Sequence, residues 1–171
     1  EGAADRMCAY LKERWEKPGS RYHVMKEMFA CLHKLEVLSA DWPKKVRHYE
    51  KVLFGGGRKQ YEALHQYRMP DKIAEQLLSY FIYVYFAGAV YDGMPYSKVK
   101  LAVISTMLIE DMVCAKAAEK GQLSFEAIAD AAHSYAREVE HSDLNLQRLS
   151  IMFRHQKCFH IGRLCGALLE W

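Results

Sequence analysis

Apolar residues recur at spacings of three and four along almost the whole chain, and the strong breakers fall between the periodic segments, not inside them. Val24, Met28, Cys31, Leu32 and Leu35 show the pattern after Ser20, a residue suited to cap a helix. Asp41 is placed to cap the next helix, because Pro43 then falls in the first turn, and Gly55-Gly56-Gly57 stops that helix near Phe54. The spacing predicts further helices over Ala3–Trp15, Arg58–Tyr67, Asp71–Tyr91, Tyr96–Glu119 and Phe125–His141. Two more follow, one from Ser142 or Asp143 toward Cys158 and one over Ile161–Trp171. Breaks are expected at Lys17-Pro18-Gly19, at Asp92–Pro95 and at Lys120-Gly121, with Ser124 capping the helix that follows. No run alternates like a strand between hairpin turns. The reading is all-α: one domain over residues 1–171, an irregular multi-helix bundle of about eight helices, with residues 1–57 as a candidate subdomain.

Two stretches are apolar nearly all round, Leu77–Val90 and Leu101–Val113. Such helices belong in the middle of a bundle, and the short turn between them makes them antiparallel neighbours. Leu77–Val90 is shorter than the roughly 20 residues a membrane-spanning helix needs. Glu75 and Asp92 bound it closely, so it is expected to be a buried core helix, with no membrane span. With 51% of its 171 residues apolar, the chain can bury a proper core. A net charge of +3 is too mild to imply nucleic acid. From Asp41 to Arg68, seven basic residues stand against three acidic ones, with His48, His65, Tyr49, Tyr61 and Tyr67 interleaved. Solvated helix faces account for the same charges, and no nucleic-acid partner is expected.

Cys8, Cys31, Cys114, Cys158 and Cys165 are an odd, scattered set without a CxxC pair. That argues against a zinc or iron–sulfur site and against a disulfide framework, and it suits a reducing cytoplasm. The sequence opens on EGAADRM, without an initiator Met or a signal pattern, and is expected to be a fragment of a longer protein. Gly55–Lys59 lacks the spacing of a phosphate-binding loop, and neither GxSxG nor HExxH occurs.

The densest polar grouping is in SYAREVEHSDLNLQRL, Ser134–Leu149. On one helix, Arg137 and His141 share a face turned away from Ile128, Tyr135 and Val139, with Glu138 and Glu140 on its flanks. Two readings stand at this point. The face is a solvated helix end, where His141 meets the negative end of the helix dipole, or it is a polar site turned toward another helix or domain. Glu110-Asp111 interrupts the apolar Leu101–Val113 stretch. Adjacent carboxylates on a helix point about 100° apart and form no facing catalytic pair, so an exposed edge or a pairing with a buried Arg or Lys is expected. Tyr80, Tyr83, Tyr85, Tyr91 and Tyr96 are expected in the core, each hydroxyl finding a partner or reaching the surface.

EQLLSYFIYVYF from Glu75, AAEKGQLSFEAI from Ala117 and YAREVEHSDLNLQRL from Tyr135 resemble, in order and spacing, the C-terminal part of the flagellin lysine-N-methylase family. The likeness covers Tyr61–Leu149, about half the chain. Gln76 and Leu77 stand where that family has Asn-Tyr, and its cysteine-rich N-terminal motif has no counterpart here. What the resemblance implies is the accessory C-terminal helical domain of a protein-lysine N-methyltransferase, which supports the active site or positions a flagellin-like substrate. No catalytic residue, metal or cofactor is expected in this fragment, and the fragment alone is expected to be inactive. S-adenosylmethionine and an iron–sulfur or metal cluster are implied for the full-length enzyme, held by an N-terminal cysteine-rich half of the same chain. Glu75, Arg137, Glu138, Glu140 and His141 are the implied substrate-binding or domain-docking residues. The alternative is a non-catalytic helical protein-interaction or adaptor module.

Overall fold

The computed structural model describes residues 2–14 and 21–169, and among these every regular element is helical. In chain order they are α1 (Ala3–Arg14), α2 (Arg21–Leu32), α3 (Trp42–Phe54), α4 (Gly57–Leu64), α5 (Asp71–Tyr85), α6 (Ala89–Asp92), α7 (Pro95–Lys120), α8 (Phe125–Tyr135), α9 (Asp143–His155) and α10 (Ile161–Leu169). The expected cap at Ser20, the break at Lys17-Pro18-Gly19 and the ends of the outer helices at Trp15 and Trp171 lie outside the described residues.

The axis of the fold is α7. From Leu101 to Val113 nearly every side chain is buried, as its apolar composition predicts, and the helix packs against α5, α8, α3 and α9. One core cluster contains Val24, Met28 and Val46 from the first third of the chain together with Ile104, Tyr135 and Leu164. Gly121 closes α7 in the left-handed region (φ +70°), and Gly93 closes α6 in the same way (φ +66°). At both positions any residue with a Cβ is strained. Ser124 caps α8 by accepting the N–H of Ala127 at 3.2 Å. Asp41 precedes α3 but makes no such capping bond; its carboxylate takes the Ser39 hydroxyl instead.

Several expectations fail. The segment Leu77–Val90 is not buried, since Phe81 is the one fully buried residue in α5. Ile73, Leu77, Leu78, Phe81 and Tyr85 face α7, while the opposite side of an equally apolar helix is open. Composition reports how apolar a helix is, but not how many of its sides are covered. Of the five tyrosines expected in the core, Tyr83 and Tyr91 are 87% and 93% exposed and Tyr80 and Tyr96 are about half exposed, which leaves Tyr85 packed against the core. The long helix is also broken, by a 3₁₀ turn over Phe86–Gly88 between α5 and α6. The predicted Phe125–His141 helix stops at Tyr135 and gives way to a single π-helical turn, Ala136–Glu140.

Candidate functional site

The π turn holds the polar grouping singled out in the sequence. Its extra residue is seen in the bond from the His141 N–H to the Ala136 carbonyl, 3.1 Å and five residues back. The insertion rotates Glu138 inward, so this residue is fully buried, not on a solvated flank. Its Oε2 accepts the backbone N–H groups of Leu38 at 3.0 Å and Ser39 at 3.2 Å, in the loop between α2 and α3. Oε1 makes no hydrogen bond among the described residues and faces the Arg137 Nε at 3.6 Å.

Arg137 reaches over the same loop, donating to the Ser39 hydroxyl at 2.9 Å and lying 3.7 Å from Asp41. Asn145, buried in the first turn of α9, completes the clamp. Its amide nitrogen donates to the carbonyls of Glu36 (2.9 Å) and Glu138 (2.7 Å), and its oxygen accepts the Glu36 N–H at 2.6 Å. Ser142 caps α9 and donates to the Glu36 carboxylate at 3.1 Å. Glu140 turns the other way and accepts the hydroxyls of Tyr80 (3.0 Å) and Tyr85 (2.9 Å) on α5. Burial first, then the Glu140 carboxylate, raises the pKa of both phenols. His141 is exposed where the turn ends.

Glu75 does not join them. It is exposed on α5, 3.5 Å from Lys72, and borders a cleft of about 240 Å³ with Arg21, Leu78, Met107, Glu110 and Leu168.

A second polar cluster sits beneath that cleft. The Arg21 Nη2 lies 3.1 Å from Glu110 and 3.2 Å from the fully buried Asp111, whose other oxygen accepts the Tyr61 hydroxyl at 2.8 Å. The His65 Nε2 is 3.5 Å from Asp111. Glu110-Asp111 thus has the buried arginine partner that its position in an apolar helix called for. Burial, with Asp111 next, pushes the Tyr61 phenol far above its ordinary value. For Arg21, burial pulls the guanidinium down, but Asp111, Tyr61 and Glu110 outweigh it and raise it. Burial also raises Glu110, more than Arg21 lowers it. Arg21 escaped notice in the sequence, although it lies three and four residues before Val24 and Met25, on the apolar stripe of α2. A cation on a buried stripe and two carboxylates in a buried helix are complementary anomalies.

The basic segment around α3 borders a cleft of about 350 Å³ lined by Asp41, Lys44, Lys45, His48, Tyr49, Lys116 and Glu119. Its charges are mostly paired internally: Lys45 with Asp41 at 2.8 Å, His48 with Glu119, and Lys116 with Asp130. Among the described residues, no group of three or more His, Cys, Asp or Glu is placed to hold a metal ion. Cys31 donates its thiol to the Gln156 side-chain oxygen at 2.9 Å, Cys114 lies in α7 and Cys165 in α10, and no three of these thiols gather, so they do not fit the donor set of an iron–sulfur cluster.

The family model described as the FliB lysine N-methylase C-terminal domain matches residues 3–167, from the first turn of α1 into α10. No curated protein and no solved structure matches the chain.

Proposed function

We propose a function from one premise: this chain belongs to the FliB lysine N-methylase C-terminal domain family. On this reading it is the accessory helical part of an enzyme that methylates lysine amines of a flagellin-like protein. It supports the active site or positions the substrate and carries out no methyl transfer itself. The observation that supports the reading is the extent of the family match, which takes in the polar π turn, the buried Arg21 cluster and the central helix alike.

S-adenosylmethionine would supply the methyl group, and the cluster implied for the family belongs with a preceding cysteine-rich part of the polypeptide. The scattered thiols described here do not suit such a cluster, and no step is routed through it. The cofactor itself calls for a pocket of roughly 300–1,000 Å³ with convergent polar groups. The apolar cleft beside Arg21 is smaller, about 240 Å³, and in the cleft of about 350 Å³ beside α3 the charged groups are mostly paired with one another or with Asp130. This domain's own contribution is shape: Glu138, Arg137 and Asn145 fix the loop over residues 36–41, and Arg21 with Asp111 locks α2 to α7.

The test is methyl transfer to flagellin lysines, followed by mass spectrometry, for the complete polypeptide, the same polypeptide lacking this domain, and the domain alone. Activity in the first alone is the expected result. Turnover by the isolated domain, or full activity without it, would overturn the reading. Activity of none on any protein lysine would favour a non-catalytic interaction module.

A further inference from the structure

We propose that the cleft between α5 and α7 binds a primary alkylammonium group; resting on the functional reading above, that group is a lysine side chain of the protein substrate. The cleft, about 240 Å³, is walled by Ala74 and Leu78 of α5, Val103 and Met107 of α7 and Leu168 of α10. Val103, Thr106, Met107 and Glu110 recur at three and four residues, so one face of the central helix lines it. Apolar walls with a few polar groups suit a ligand built as an alkyl stem with a polar tip.

The charge of the polar groups selects the sign of that tip. The Arg21 Nη2 is shared between Glu110 at 3.1 Å and Asp111 at 3.2 Å. One cation thus faces two carboxylates, and with His65 neutral, 3.5 Å from Asp111, the cluster holds an excess of negative charge. The ionic groups around it balance one another, Arg68 with Asp71 at 2.9 Å and Lys72 with Glu75 at 3.5 Å. Burial raises Glu110 more than Arg21 lowers it, as expected of a carboxylate that has only a share in its partner. A second cation, entering through the cleft, completes the compensation.

The two carboxylates differ in what they have left to offer. Asp111 is fully buried and both its oxygens are taken, one by Arg21 and the other by the Tyr61 hydroxyl. Glu110 gives Oε2 to Arg21, while its other oxygen accepts no hydrogen bond among the described residues. Its side chain lines the cleft and keeps 13% of its surface exposed there. Thr106, one turn earlier on α7, donates its hydroxyl to the Ala102 carbonyl at 2.9 Å and retains lone pairs to accept with. An ammonium group carries three donors and no acceptor, so it matches this pair. Glu75 adds an exposed carboxylate at the rim, on the way in.

Other ligand classes fit less well. A carboxylate or a phosphate meets the excess negative charge. An uncharged apolar group covers Glu110 without supplying a partner, which leaves a desolvated carboxylate unpaired. A trimethylammonium group has no N–H for Glu110 and Thr106 to accept, and no aromatic ring stands among the described lining residues to cradle it. The cleft therefore selects an amine that still carries its hydrogens.

The test is calorimetric titration of the complete polypeptide with butylammonium chloride, with the peptide acetyl-Gly-Lys-Gly-amide and with the same peptide trimethylated on its lysine. The first two should bind, and the trimethylated peptide and sodium butyrate should bind about tenfold more weakly or less. Glu110→Gln should weaken butylammonium binding by about tenfold or more, because a neutral amide replaces the accepting carboxylate. Ala74→Phe fills the cleft without touching its charges and should abolish binding; circular dichroism checks that both variants keep the parent's helix content. Butylammonium binding that neither variant weakens would overturn the proposal, as would equal binding of the trimethylated peptide. Binding of butylammonium but not of the lysine peptide would assign the cleft to a free small amine and overturn the lysine assignment. The two readings fail separately. Binding of both amines without methylation of any protein lysine leaves the site standing and sinks the enzyme assignment, whereas flagellin methylation by a polypeptide that binds neither amine does the reverse.

Discussion

Arg21 donates to Asp111 at 3.2 Å across 90 residues of sequence, joining the first turn of α2 to the middle of the central helix. Asp111 is fully buried, so this contact is the condition on which a carboxylate is tolerated there. Arg21→Ala should lower the unfolding free energy by about 3–5 kcal/mol, because a buried charge loses its partner. Tyr61→Phe removes one hydrogen bond to the same carboxylate and should cost about 1–3 kcal/mol. Arg21→Met combined with Asp111→Leu should recover part of the loss, since two well-packed apolar residues no longer need each other. Urea unfolding of the three variants against the parent measures all of these. An Arg21→Ala loss below 1 kcal/mol would show that Asp111 is not held in this way.

The neighbouring carboxylate sets a pH dependence of definite sign. Burial raises Glu110 above its ordinary value of 4.5, so the folded state favours its protonated form. Its contribution to stability is complete below that value and is lost as pH rises through the raised one. Glu110→Gln should therefore flatten the fall in stability above about pH 4.5, read from denaturation midpoints collected at successive pH values. A variant whose pH profile runs parallel to the parent's would contradict the assignment.

Glu138 carries a different kind of consequence. It accepts two backbone N–H groups from a loop 100 residues away, so replacing it leaves donors without a partner. Glu138→Ala should cost about 2–5 kcal/mol, with a matching loss of hydrogen-exchange protection at Leu38 and Ser39. Arg137 is 42% exposed and keeps water as an alternative partner, so Arg137→Ala should cost about 1 kcal/mol or less. The reverse ranking would place the support of the loop in Arg137.

The contrast between α5 and α7 marks what the sequence discloses and what it withholds. Both helices are legible from apolar spacing, and the burial of Leu101–Val113 follows from it. The burial of Leu77–Val90 does not follow, because period and composition are the same whether one side of a helix is covered or two. The cluster of Arg21 with Asp111 was readable in principle, as a cation and an anion each on a buried stripe. The clamp on residues 36–41 was not. Glu36, Ser39 and Asn145 lie in a turn or a first helical turn, where polar residues are ordinary, and the one-residue insertion that turns Glu138 inward leaves no mark in the spacing of AREVE.

The one-sided burial of α5 gives a direct stability contrast. Phe81 is buried against Tyr85 and Tyr135, so Phe81→Ala should cost about 3–5 kcal/mol in transfer and cavity terms. Tyr83, two residues on and 87% exposed, should tolerate Ala within about 0.5 kcal/mol. Equal losses at the two positions would mean that α5 is covered on both sides.

Asp41 offers a spectroscopic test of the loop that Glu138 and Arg137 hold. Lys45 at 2.8 Å, with the Ser39 hydroxyl at 2.5 Å, keeps its carboxyl at about 2, below the ordinary 3.8. A lowered carboxyl favours the folded state while ionised; that contribution is present above 3.8 and is lost as pH falls through about 2. The carboxyl carbon of Asp41, followed by NMR, should titrate near that lower value in the parent. Lys45→Ala should move the midpoint up the most, Ser39→Ala less, and Arg137→Ala least, since its guanidinium stands off at 3.7 Å. The group is exposed, so raising the ionic strength to about 1 M, where screening acts over about 3 Å, should move the midpoint upward as well. A midpoint at the ordinary value, unmoved by Lys45→Ala, would mean that the start of α3 is not organised around this carboxylate.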